Sequence, residues 1–217
     1  MASTPHLGLR ERKKQQTRRL IAETARRLFA ERGFDRVPVA EIAREADVSE
    51  QTVFNYFPTK EDLVYWRLGT FEDELLATIR EREEGESALA AFRRFVLVQR
   101  GLLGQTDPDA REQLTALTRT IEESPALLAR EQQIFARYTE ALAALLASEQ
   151  EEDRGAIEPV VAANAMMGVH RALVSHARGR ILAGAGQPAL AREVRARAEQ
   201  AFALLEHGLG GYAVRRG

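Results

Sequence analysis

Apolar residues recur along this chain at the three- and four-residue spacing of helices. From Glu11 the series Leu20, Ile21, Ala25, Leu28, Phe29 marks a first helix, and Gly33 follows where a left-handed cap is expected. After residues 34–38, Val39–Ala46 reads as a short helix with Pro38 suited to its first position; Asp47 breaks it. Ser49 is a good N-cap for a second short helix, Glu50–Phe57, which must end before Pro58. Thr59 and Asp62 have capping-box spacing at the head of a helix expected over Lys60–Arg82, with Leu63, Leu68, Phe71, Leu75 and Ile79 inward. Four more helices are expected near residues 87–103, 108–124, 125–146 and 158–182, and a ninth near 188–207. The acidic stretch 148–155 reads as a solvated loop.

Composition agrees with an all-α fold. Alanine and leucine number 60 against 20 for valine plus isoleucine, which argues against a sandwich or barrel. The absence of cysteine excludes disulfides, thiolate zinc sites, iron–sulfur clusters and a Cys nucleophile. No stretch has the apolar run of a signal peptide or membrane span, so the cytoplasm is the expected compartment. Net charge is −1, but residues 1–27 hold eight basic and two acidic side chains. Such a head suits a phosphate-facing surface, and a merely solvated charged helix is the other reading.

The two short helices place Ile42, Ala43, Ala46, Val48, Val53 and Tyr56 where a helix-turn-helix needs apolar or small side chains. In a chain this apolar, six such positions agree by chance about twice, so the turn, the Ser49 cap, the Pro58 stop and the basic flank carry the assignment. In such a unit the exposed face of the second helix reads base edges. Gln51 and Asn55 can pair bidentately with adenine, Thr52 offers a hydroxyl or methyl, and Phe54 can pack on a thymine methyl. Phe54 could instead fill the core.

The run Thr17-Arg18, Ile21, Ala25, Leu28 to Phe34, Ile42-Ala43, Val48-Ser49, Thr52-Val53-Phe54, Tyr56-Phe57 and Lys60 resembles the N-terminal domain of the TetR family of bacterial transcriptional regulators. The resemblance covers about Thr17 to Leu63. It implies a disordered basic arm (1–10), a DNA-binding domain (11–58) and a helical effector and dimerisation domain (59–217). It also gives Tyr56, Lys60, Thr17 and Arg18 to the phosphate backbone, with core filling the other reading for Tyr56. Asp47 replaces a usual glycine, Pro38 a frequent capping threonine, and Glu50 and Gln51 stand where small or basic residues are common.

The expected partners are therefore a palindromic DNA operator, a second copy of the chain and a small-molecule effector; no cofactor is expected. The last two helices are the expected dimer seam, with small residues Ala162, Ala163, Ala165, Gly168 and Ala172 and a stripe of Leu190, Val194, Ala198, Ala201, Phe202 and Leu205. Candidate effector contacts are Trp66, Phe71, Phe95, Gln99, Phe135, Tyr138, Met166, Met167 and His170, each equally readable as core. They imply a hydrophobic or amphipathic ligand. No catalytic or metal-binding residues are expected: His170 and His176 lie six apart, about 240° around a helix, and the acidic runs read as solvated faces. A helical interaction module without DNA binding and a small helical enzyme are the alternatives.

Overall fold

A computed structural model of the chain describes residues 8–98, 108–149 and 156–209. Among them there is no strand. Ten α-helices follow in order: α1 (Leu9–Arg32), α2 (Val39–Glu45), α3 (Glu50–Tyr56), α4 (Asp62–Tyr65), α5 (Gly69–Arg80), α6 (Ala88–Leu97), α7 (Pro108–Glu122), α8 (Pro125–Ser148), α9 (Glu158–Leu182) and α10 (Gln187–Leu209). The acidic stretch expected as a loop lies mostly outside the described residues, as do residues 1–7 of the expected arm; Arg10 is already within α1.

The helix expected over 60–82 is divided. A 3-10 turn, Trp66–Leu68, separates α4 from α5, and Gly69 follows it, a residue that costs helix interiors about 1 kcal/mol. The interruption has a use, because the Leu68 carbonyl accepts a hydrogen bond from the Tyr138 hydroxyl. The Thr59–Asp62 capping box forms reciprocally, with the Thr59 amide on the Asp62 carboxylate at 3.1 Å and the Asp62 amide on the Thr59 hydroxyl at 3.3 Å.

The chain divides into two compact units. The first holds residues 1–67 and, returning, 120–128. Its core is Ile21, Ala25, Phe29, Val37, Ile42, Val53, Phe57 and Leu63, all at most 2% exposed. Leu20, read as part of the apolar face of α1, is instead 48% exposed, because Ile21 and Ala25 already take the buried side. The turn between α7 and α8 belongs to this unit: the Tyr65 hydroxyl donates to the Leu127 carbonyl at 3.0 Å, and the Ser124 hydroxyl to Asp35 at 3.4 Å.

The second unit holds 68–119 and 129–217. Its core includes Leu75, Ile79, Phe92, Leu142, Leu146, Met167 and Phe202. Arg82 is 2% exposed and grips Glu149 with two guanidinium nitrogens, at 2.9 and 2.6 Å, while also donating to the Ile79 and Glu86 carbonyls. Arg178 and Glu131 form a second bidentate pair between α9 and α8. The α10 stripe read as dimer seam is largely interior here: Leu190, Ala198 and Phe202 are at most 2% exposed, and Phe202 packs edge-on against Phe92 at 5.9 Å. Helical periodicity locates an apolar face without saying whether the same chain or another covers it.

Asp47 is the one non-glycine with positive φ among the described residues, at 54°. Left-handed backbone is tolerable for Asp and poor for β-branched side chains. Asp47→Val is expected to lower unfolding free energy by about 1–2 kcal/mol and Asp47→Gly to leave it unchanged or slightly raised. Urea titration of the three proteins checks the order.

Candidate nucleic-acid interface and interior aromatic cluster

The turn between α2 and α3 is closed by the Val48 amide on the Ala43 carbonyl at 2.9 Å, across left-handed Asp47. Ser49 then caps α3, its hydroxyl accepting the Thr52 amide at 3.1 Å and meeting the Thr52 hydroxyl at 2.8 Å. On α3, Val53 points into the core, and Phe57 follows it inward just past the helix end, each 1% exposed. Gln51, Phe54 and Asn55 are all exposed, Phe54 by 43%. The Gln51 side-chain amide donates to the Asn55 carbonyl oxygen at 3.2 Å, so the two groups with adenine-pairing chemistry lie side by side. Glu50 is exposed at the first position of the helix.

Around this face the backbone-contact candidates separate. Arg18 is exposed, its guanidinium 5.6 Å over the Phe57 ring. Thr17 is half-buried and its hydroxyl donates to the Lys13 carbonyl at 3.0 Å. Tyr56 is half-buried. The Lys60 ammonium donates to the Phe34 carbonyl at 2.7 Å and lies 4.3 Å over the Phe34 ring. Burial lowers its pKa from the ordinary lysine value, against the pull of Asp35 and Glu61. Lys60 thus braces the link between α1 and α2. Of the six expected lock positions, Ile42, Ala43, Ala46 and Val53 are buried while Val48 and Tyr56 are half-buried. Phe57, not among them, completes the lock. Its position directly before Pro58, where the chain must turn from the helix, was the available signal.

The expected effector contacts fall into three groups. Gln99 lies outside the described residues, and Trp66 lies in the first unit. The rest lie in the second unit, where Phe71 packs against Phe95 (5.1 Å), Tyr138 (5.3 Å) and His170 (4.8 Å), and Phe135 against Tyr138 (6.3 Å) and His170 (5.6 Å). Met166 and Met167 are buried on α9. Burial raises the Tyr138 hydroxyl to about 12 and pushes the His170 imidazole down to about 4, so both are neutral at pH 7. A hollow of about 210 Å³ in the first unit is lined instead by Gly33, Phe34, Asp35, Arg36, Thr120, Glu123 and Ser124, none of them an expected ligand contact. Among the described residues no cluster of three or more His, Asp or Glu could hold a metal ion, and no helix is long and apolar enough to cross a membrane.

Two short helices locked at a left-handed turn, with a polar row outward on the second, define a helix-turn-helix protein of all-α architecture. The family model for bacterial regulatory proteins, tetR family, matches residues 21–65, which span this motif and the helices that brace it. The chain belongs to the TetR family, the assignment resting on that N-terminal domain. It is 31% identical over 133 residues to the HTH-type transcriptional regulator TcmR of Streptomyces glaucescens, a match covering 58% of each protein. It is 47% identical over 64 residues to the HTH-type transcriptional regulator LuxR of Vibrio harveyi, 30% of each. The matches thus span little more than half, or less, of those relatives' lengths. In fold it is similar to the solved structure of Salmonella enterica GusR, with a TM-score of 0.54 at 20% identity, over 90% of this chain and 96% of that one.

Two expectations follow from the burial pattern. Phe54→Ala should change unfolding free energy by less than about 0.5 kcal/mol, as for an exposed side chain, whereas Phe57→Ala should cost about 3–5 kcal/mol; chemical denaturation measures both. The folded His170 also binds a proton less readily than the unfolded imidazole at 6.5. Its contribution to stability is therefore complete above pH 6.5 and declines as pH falls toward 4. Unfolding titrations between those limits should show a shallower decline in His170→Phe than in the wild-type chain.

Proposed function

We propose that this protein is a transcriptional regulator that binds a palindromic DNA operator as a homodimer and is released from it by a hydrophobic or amphipathic small molecule, so acting as a repressor in the bacterial cytoplasm. The observation that carries the reading is the division of side chains around α3: Val53 and Phe57 are inward, while Gln51, Phe54 and Asn55 form an exposed row on the helix that follows the turn. Gln51, Thr52, Phe54 and Asn55 read bases; Thr17, Arg18, Tyr56 and Lys60 hold the backbone. Residues 1–10 form a basic arm, 11–58 the DNA-binding domain and 59–217 the effector and dimerisation domain. Lys60 must leave the Phe34 carbonyl to reach a phosphate, so it contributes less than the exposed Arg18.

Dimerisation is required because one motif of this size makes too few contacts for useful specificity. The exposed face of α9 supports a seam there. Ile157 (68% exposed) and Val161 (52%) are followed on the same side by Asn164, Gly168, Ala172 and Ser175, small enough for close helix approach. Effector response is supported by the grouping of 120–128 with the DNA-binding unit, since α7 and α8 each continue from that segment into the second unit. A change in either helix is carried to residues held by Tyr65 and Asp35.

Selection of bound duplexes from a random pool, followed by titration of the winner at several salt concentrations, tests the proposal. A palindrome with half-sites one helical turn or a multiple apart is expected, with affinity falling steeply as salt rises. Gln51→Ala with Asn55→Ala should remove sequence preference while retaining the fold by circular dichroism. No enrichment, persisting after unfolding and refolding to strip any bound ligand, would overturn the reading.

A further inference from the structure

The aromatic cluster of the second unit contains two side chains with hydrogen-bonding groups, and they are treated differently. The Tyr138 hydroxyl is used, donating to the Leu68 carbonyl opened by the 3-10 turn. His170 is 6% exposed, and no described residue hydrogen-bonds either ring nitrogen. Burying an imidazole without a partner is costly, and phenylalanine would fill the same space among the same rings at no such cost. The open donor and acceptor of His170 therefore call for a partner supplied from outside the chain.

We infer that this cluster takes an uncharged, planar aromatic molecule bearing a hydroxyl or carbonyl, which hydrogen-bonds a ring nitrogen of His170. The inference rests on the reading of the protein as a ligand-responsive regulator and names the class of its effector. Ring geometry selects the aromatic part. Phe71 lies at 22° to Tyr138 and 34° to His170, so a flat ring moving in beside it meets faces already close to parallel. Stacked and edge-on ring pairs gain beyond area burial, which an alkyl chain does not reproduce. Phe71 and Phe95 are the half-exposed members of the cluster, so they can turn aside while Phe135, Tyr138 and His170 stay packed. A neutral imidazole offers one donor and one acceptor, matching either a hydroxyl or a carbonyl, and supplies no positive charge for a carboxylate.

Calorimetric titration of the full chain with 1-naphthol, naphthalene, 1-naphthoate and decanoate tests this. The wild-type protein should bind 1-naphthol about fivefold more tightly than naphthalene, the difference expected of one hydrogen bond, and more tightly than either carboxylate. In His170→Phe the preference for 1-naphthol over naphthalene should vanish while naphthalene affinity is kept. Equal affinity for the two in the wild-type chain, a preference that survives His170→Phe, or tighter binding of decanoate would each overturn the inference, and the wild-type order decides even where the variant does not fold. Duplex selection on the same preparation separates the two levels: a selected operator without binding of any aromatic probe overturns the effector class alone, while aromatic binding without an operator supports the site and overturns the regulator.

Discussion

Everything at the candidate DNA surface depends on a helix that cannot stand by itself. Seven residues are too few for a stable helix in water, so α3 takes its stability from burial of Val53 and Phe57 against α1 and α2. That requirement fixes its rotation about its own axis. With Val53 and Phe57 inward, Gln51, Phe54 and Asn55 have nowhere to go but solvent. The Ser49 cap and the left-handed Asp47 set where the helix begins, and the Phe57–Pro58 junction sets where it stops. A polar, exposed row on a rigid short helix is a consequence of how the apolar residues are spent.

The fold was largely readable because its signals are local. Caps at Ser49 and Ser87, the Thr59–Asp62 box and the glycine at 33 act over three or four residues, and each appears where the spacing predicts. The readings that needed distant contacts fared differently. The break at 66–68 depends on a hydroxyl 70 residues away, and nothing near Leu68 but Gly69 announces it. The apolar stripe of α10 was visible, but that it faces Phe92 rather than another chain depends on tertiary packing. Likewise, no composition change marks 120–128 as part of the first unit, which is joined there by two hydrogen bonds between segments far apart in sequence.

At the level of single residues the limit is chemical ambiguity. Lysine 60 reads from sequence as a phosphate ligand, and a free ammonium at a helix start would suit that. The fold instead gives it a carbonyl and an aromatic face, which compete with any phosphate for the same three protons. Phe54 carried the opposite ambiguity, core or contact, and its exposure places it on the surface. Periodicity alone cannot decide either, because both residues sit at boundaries between faces.

The interior cluster sharpens the same point. Aromatic and Met residues at helical spacing fill any bundle core, so Phe71, Phe95, Phe135, Met166 and Met167 carry no functional information individually. What distinguishes a binding site from a core is the accounting of polar groups: a core satisfies or excludes them, as Tyr138 is satisfied by Leu68. His170 is neither satisfied nor excluded. Its neighbours hold it neutral and nearly enclosed, a state that costs stability as pH falls and that packing alone would not require. The argument for a ligand thus comes from one unfilled hydrogen-bonding capacity, visible only once the side chains around it are known.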